Sequence, residues 1–317
     1  IYTGEDTLSL HDALPICMHQ NLAEREDLAQ EQKLQALLEL AQDYLKAGLL
    51  DRAEELFLKL EGTAHSEAAL RFLLEIYEQE KDWHKAIGIA EKLEALSGRS
   101  YQKEIANFCC EMAARALMQS RPAEARPHLE AALAHHRTCV RANMLLGDLE
   151  RDQGNRTAAI AIWQRIESQN PAYLSLVSER LLTAYRDEGK PEEGLNLLRG
   201  YLEKYASLDL LDMVYQATLA TGDAPAAYRL VRDEVRRTPT LLGLDKLLEA
   251  QLLEAPAEKR HDLQLIKQLI HQHTRSLAMY KCEHCGFRAR QFYWHCPACG
   301  EWETYAPRRT EEKGIPA

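Results

Sequence analysis

Gly147-Asp-Leu-Glu-Arg-Asp-Gln-Gly154-Asn-Arg-Thr-Ala-Ala159-Ile-Ala-Ile-Trp163-Gln-Arg-Ile166, closing at Pro171, decides the fold. Two runs with apolar residues at helical spacing flank Gly154, which can end the first helix in the left-handed conformation. Pro171 ends the second helix, because proline has no backbone N–H and cannot continue one. Gly147 lets the second helix approach closely, and Ala159 sits where a larger side chain would push the pair apart.

The arrangement recurs along the chain. Copies fall at Ala41, Tyr44, Gly48, Ala53, Phe57 and Leu60, then at Leu74, Tyr77, Lys81, Ala86, Ala90 and Leu93. A weaker copy holds Ala113, Ala116, Ala125, Leu129 and Ala132. Later ones run Leu182, Tyr185, Gly189, Gly194, Leu198, Tyr201 and Tyr215, Thr218, Gly222, Ala227, Val231, Pro239. Successive steps of 33, 39, 34, 35 and 33 residues are those of tetratricopeptide repeats, two antiparallel helices per unit. Each pair leaves an apolar face bare, so neighbours must stack, and a right-handed superhelix with a concave groove is expected. The long step around Ser97–Tyr101 predicts a longer loop, and Leu253–Arg260, with Pro256, a looser join. A helix from Asp262 to about Gln272 is expected to cap the stack.

Beyond the repeats, Tyr280-Lys-Cys282-Glu-His-Cys285-Gly-Phe is followed by Cys296-Pro-Ala-Cys299-Gly, with ten residues between Cys285 and Cys296. Two Cys-x-x-Cys turns facing each other complete a tetrahedral four-sulfur site, so Cys282, Cys285, Cys296 and Cys299 are the candidate metal ligands. Gly286 and Gly300 follow each second cysteine, where positive φ turns backbone N–H groups toward sulfur. His284 and His295 are read as neighbours, because both cysteine pairs are already complete. Phe287, Phe292, Tyr293, Trp294, Trp302 and Tyr305 crowd a piece too small for a core of its own; a metal makes folding possible at that size. These aromatics are expected to wrap the site, with Phe292–Trp294 and Trp302 also clamping it onto the last repeat helices.

Composition bounds the rest. The 317 residues are 46% hydrophobic and 28% charged, with net charge −10. Residues 1–275 carry 33 Lys/Arg against 44 Asp/Glu, and the remainder six against five. An acidic repeat region disfavours nucleic acid, and no salt-sensitive DNA or RNA binding is expected. Of eight cysteines, Cys17, Cys109, Cys110 and Cys139 show no pairing pattern, and Cys109-Cys110 read as small buried apolar groups in a reducing compartment. No run reaches the ~18–20 apolar residues of a membrane span. No Gly-x-Ser-x-Gly, phosphate-cradling loop or His-Glu-x-x-His occurs, and a four-sulfur site has no open position, so the chain reads as non-enzymatic. His135-His136 and His271/His273 read as exposed helix ends, Trp83 and Trp163 as core, and Arg229–Arg237 as a solvated face.

The repeats, the two knuckles and the run Tyr293-Trp-His-Cys-Pro-Ala-Cys299 resemble the lipopolysaccharide assembly protein B family of Gram-negative bacteria. Leu40-Ala-Gln-Asp-Tyr-Leu-Lys-Ala-Gly-Leu-Leu-Asp-Arg-Ala53 shares the likeness, which covers about residues 28–306. The resemblance implies an all-α tetratricopeptide-repeat superhelix with a small C-terminal β-rich rubredoxin-like metal knuckle domain holding one zinc or iron ion. It further implies an adaptor at the cytoplasmic face of the inner membrane. Its partners there are a membrane-bound AAA+ metalloprotease and the lipid A pathway deacetylase degraded with its help, with a membrane-bound regulator opposing it. A homodimer stays open.

The expected division is 1–16 a non-native leader, 17–33 a remnant of an upstream repeat, 34–275 the repeats with capping helices, 276–306 the metal domain and 307–317 a flexible tail. The leader reading rests on His11-Asp-Ala-Leu-Pro-Ile16, which resembles a translated sequencing adapter, so the anchor and first repeats are expected upstream. Two rivals differ in class. A rubredoxin-like electron carrier would be red and bleach on reduction, whereas a generic repeat-type co-chaperone needs a Lys/Arg clamp lining its groove.

Overall fold

The computed structural model describes residues 10–314, which form two compact units, one ending at His136 and the other beginning at Arg137. The first unit holds α1 (Leu10–Glu24), α2 (Gln30–Lys46), α3 (Leu50–Lys59), α4 (Ser66–Glu80), α5 (Trp83–Ser97), α6 (Gln102–Met118) and α7 (Pro122–His135). The small residues chosen from the repeat pattern are core: Ala41, Ala53, Ala86 and Ala125 are fully buried, as are Phe57, Leu60, Leu93 and Leu129. Phe57 stacks on Phe72 at 5.1 Å and Trp83 on Phe108 at 5.6 Å, binding one hairpin to the next. Lys81 occupies the left-handed turn at φ 58°, where Gly48 takes φ 76° in its own repeat. Cys109 and Cys110 are buried in α6, as expected of small apolar groups.

Two expectations need correction here. Helix α1 extends back to Leu10, into the stretch read as an aperiodic leader, whose residues 1–9 lie outside the described ones. Its own pattern is weak, with Pro15 inside it; packing on α2 sustains it, through buried Ile16 and His19 Nδ1 2.6 Å from Asp43 Oδ2. His135 and His136 are both half-buried, not exposed, and Gln102 Oε1 lies 2.8 Å from His135 Nδ1.

The second unit continues with α8 (Val140–Asp152), α9 (Arg156–Gln169), a 3-10 turn (Pro171–Tyr173), α10 (Leu174–Asp187), α11 (Pro191–Lys204), α12 (Leu208–Ala220), α13 (Ala224–Arg237), α14 (Leu241–Glu254) and α15 (Ala257–Thr274). The α8–α9 pair shows why its repeat is the cleanest. Trp163 is fully buried and donates Nε1–H to Met144 O at 3.2 Å, its indole lying over Gly147. Only Ala255-Pro256 separates α14 from α15, so the looser join expected over Leu253–Arg260 is a tight turn. The capping helix starts at Ala257, five residues earlier than the sequence suggested.

After α15 the chain turns back on itself, Leu277 and Ala278 N–H both donating to Thr274 O. It then enters a small two-stranded antiparallel sheet of β1 (Tyr280–Lys281) and β2 (Arg288–Ala289), with Tyr280 opposite Ala289. Among the described residues no helix is long and apolar enough to cross a membrane.

The C-terminal segment departs most from expectation. Residues 307–317 read as a flexible tail, but the described part, through 314, is a docked strap. Glu311 accepts from Leu241 and Leu242 N–H at the start of α14, and Glu312 from Leu208 N–H at 2.7 Å at the start of α12. Carboxylates are favoured there by unpaired N–H groups and the helix dipole. Arg309 Nε donates to Asp209 Oδ1 at 2.8 Å, and Thr310 N–H to Met279 O at 2.8 Å. Residues 308–313 are all polar, so composition alone gives no sign of this seat. Glu312 is 6% exposed, and burial raises its carboxyl above the usual range. A carboxyl raised in the folded state is protonated more readily folded than unfolded, so this group favours folding as pH falls through its folded value. Glu312→Gln drops the buried charge but keeps an acceptor for only one of the Leu208 and Arg309 N–H groups, so the two effects offset and the melting temperature near neutrality is expected to change less than in Glu312→Ala. Glu312→Ala strands both the Leu208 and the Arg309 N–H and should cost about 1–2 kcal/mol; a thermal melt of both variants checks the contrast.

Candidate metal centre

Each cysteine pair is carried on a tight turn closed by its own backbone. Gly286 N–H donates to Cys282 O at 3.1 Å and Gly300 N–H to Cys296 O at 2.9 Å. The glycines adopt φ 80° and 69°, which side-chain-bearing residues rarely take. A second bond closes each loop, from Cys282 N–H to Phe287 O and from Cys296 N–H to Glu301 O. The matching bonds make the two turns copies of one knuckle; a bridge of His295 with Trp302 closes the second, and one of Cys282 with Tyr305 ties the first to the chain beyond it.

The turns bring all four sulfurs within 4.8 Å of one another. Cys282 Sγ lies 3.8 Å from Cys299 Sγ, and Cys285 Sγ 3.7 Å from Cys296 Sγ. Sulfurs around an ion at the usual Zn–S length of about 2.3 Å stand about 3.8 Å apart in a tetrahedron. The four cysteines therefore fit a single ion. Burial works against the Cys282 thiolate, yet the Cys285 N–H and Thr304 Oγ1, 3.2 Å from the sulfur, outweigh it and bring the thiol down to about 6. Burial, with the neighbouring thiols, pushes Cys299 up to about 12. Neither histidine joins the cluster: His284 is exposed, and His295 stacks on Trp302 at 4.3 Å with Nε2 2.8 Å from Gly300 O.

Of the six aromatics, Tyr305 and Trp302 are buried around the site, whereas Phe287 stays 41% exposed. The clamp is real but its seat is not the last repeat helices. Trp294 stacks on Tyr173 at 5.4 Å with rings 9° apart, and Phe292 meets the same ring edge-on at 6.1 Å. The Arg141 guanidinium of α8 lies 5.8 Å from the Trp294 ring and 5.9 Å from the Trp302 ring. A second anchor is Tyr280, whose hydroxyl donates to Asp209 Oδ2 at 2.6 Å while the Arg309 guanidinium sits 4.1 Å over its ring. Burial and then Asp209 raise the Tyr280 phenol, so it stays protonated and donates. The sequence flags neither Arg141, Tyr173 nor Asp209, because their partners lie from about 70 to about 160 residues further along the chain.

The other singled-out residues play structural parts. Trp83 and Trp163 are core, and His271 and His273 are exposed on α15. Arg237 of the arginine run donates to Leu202 and Glu203 O, and Arg232 pairs with Asp233. A cavity of about 510 Å³ between α10, α11 and α12 carries one cation, Arg186, beside Glu179 and Glu192, which is no clamp for a peptide carboxylate.

Residues 280–307 match the family described as a rubredoxin metal binding domain, and residues 110–173 a tetratricopeptide repeat. Lipopolysaccharide assembly protein B of Escherichia coli K12 is 33% identical over 296 residues, covering 93% of this chain and 76% of that protein. The chain belongs to the lipopolysaccharide assembly protein B family. Its Haemophilus influenzae member is 29% identical over 299 residues, covering 93% of this chain and 75% of its own length. Both spans take in helical repeats and metal ribbon together, so the family shares the joined arrangement and not one module alone. Among solved structures, the pilus biogenesis factor PilW aligns with TM-score 0.36 and 21% identity, over 70% of this chain and 100% of its own.

Proposed function

We propose that this chain is a non-catalytic adaptor in the control of lipopolysaccharide assembly. Cys282, Cys285, Cys296 and Cys299 hold one zinc or iron ion, and the ribbon so formed is held against the repeats. In the finer reading, the adaptor works at the cytoplasmic face of the inner membrane. It brings the lipid A pathway deacetylase to a membrane-bound AAA+ metalloprotease, and a membrane-bound regulator opposes it. Tethering raises the effective concentration of substrate at protease without any chemistry of its own. The observation that carries this reading is the stacked seat of Trp294 on Tyr173, which ties the metal centre's shape to the repeat surface.

The test is Cys296→Ser with Cys299→Ser in cells. Far-UV helical signal should stay largely intact while the deacetylase becomes long-lived. Unchanged deacetylase turnover would count heavily against the adaptor.

One observation favours a second reading, an electron carrier: Cys285 is exposed, which would open an iron–sulfur centre to an electron-transfer partner. A red protein that bleaches reversibly on reduction supports that reading, and a colourless one with a single zinc ends it.

A further inference from the structure

The outermost described helix of the second unit, α15, has an outer face unlike that of a terminal repeat. Stacks of helical repeats end on polar faces, because the last helix has no neighbour to cover it. Here Leu265, Ile266 and Leu269 stand 53%, 46% and 51% exposed on consecutive turns. The opposite side packs on α14, with Lys267 Nζ 3.1 Å from Glu249 Oε2. None of the ribbon or strap contacts above reaches the apolar stripe.

A carboxylate and an imidazole flank this stripe in an order that fits one occupant. Asp262 lies one turn before Leu265 and Ile266, and His273 one turn after Leu269, on the same edge of the helix. Both are exposed, and neither makes an ion pair within the described chain. The pair Asp262/His273 and the pair Ile266/Leu269 share one midpoint, between Lys267 and Gln268. A helix with that symmetry is complementary to itself run antiparallel about a two-fold axis.

We propose that α15 pairs with α15 of a second copy of this chain. Ile266 of one copy packs against Leu269 of the other, Leu265 fills in beside them, and Asp262 meets His273 at each end. The two-fold repeats every contact, so three exposed apolar side chains per copy become six in one seam, closed at both ends by a hydrogen-bonding carboxylate–imidazole pair. A parallel arrangement would set Asp262 against Asp262. The pairing is independent of the adaptor reading, since it involves neither metal nor lipopolysaccharide control.

The test is sedimentation equilibrium of the full chain over a concentration series. Wild type should associate to a dimer, and Leu265→Glu with Leu269→Glu should weaken it by about 100-fold, burying like charges in the seam. Helical content should not change, because both positions face solvent in the single chain. Asp262→Lys and His273→Asp should each weaken the dimer by about 3- to 10-fold, and the two together restore it. Orientation is read by oxidising a mixture of size-tagged Ile266→Cys and Leu269→Cys chains in a Cys17→Ser background. Cross-links between the two variants should exceed those within either. A monomer at every concentration overturns the proposal, as does a dimer indifferent to the Leu265/Leu269 change or one cross-linked like-to-like.

Discussion

Chelating the metal, or replacing Cys282 and Cys296 with serine, is expected to unfold the 280–307 ribbon and leave the helices standing. The buried sulfurs of Cys282 and Cys296 sit at the centre of a cluster whose other large members are Tyr280 and Tyr305. Two strands of two residues each cannot hold such a piece together. Metal binding of this type is worth on the order of 10 kcal/mol, which is more than a domain this small gains from its own burial. The change is measurable without any partner. Trp294 and Trp302 lie in the ribbon and Trp83 and Trp163 in the repeats, so tryptophan emission should shift red by about the share of the ribbon pair. Far-UV ellipticity should fall little, and hydrogen exchange should rise at Cys282 and Cys296 N–H. Acid should act like the chelator, because thiolates must take up protons to release the ion. Retention of the ribbon's emission and exchange protection after complete metal removal would show that aromatic packing alone suffices.

Gly147→Ala is expected to destabilise the second unit, against the ordinary preference for alanine within a helix. Alanine gains about 1 kcal/mol over glycine in a helix interior. At position 147, however, a Cβ would stand 2.2 Å from Trp163 Nε1 and 2.5 Å from its Cδ1. The indole cannot retreat, since it is fully buried and hydrogen-bonded to Met144 O. Overpacking of this kind costs about 1–3 kcal/mol or more, and contact this short belongs at the upper end, so the steric term wins. A net loss of about 2 kcal/mol should lower the melting temperature by roughly 4–8 °C in a unit of this size. Gly88 and Gly200 supply the control. Both lie in helices with nothing within 4 Å of a Cβ, so alanine there should stabilise by about 0.5–1 kcal/mol. Equal effects at all three positions would mean that helix propensity, and not the α8–α9 contact, sets the outcome.

Much of this architecture was legible residue by residue. Gly147, Ala159 and Trp163 mark the close helix pair because contact between two helices joined by a short turn is a local matter, set by side-chain volume at fixed spacing. The two Cys-x-x-Cys-Gly turns are legible for the same reason: ligand spacing and left-handed glycines are properties of five consecutive residues. Where α1 begins, and that Leu253–Arg260 is a tight turn, escaped the pattern because packing between helices decides such boundaries.

The helical repeats, their order and the four sulfurs that can share an ion follow from short-range pattern in the chain. The seat of the ribbon and the strap at the end of the chain follow from folding in three dimensions. Arg141, Tyr173 and Asp209 meet Trp294, Tyr280 and Arg309 across about 70 to 160 residues of chain. Such contacts depend on how successive helices stack in space, and no local periodicity encodes them.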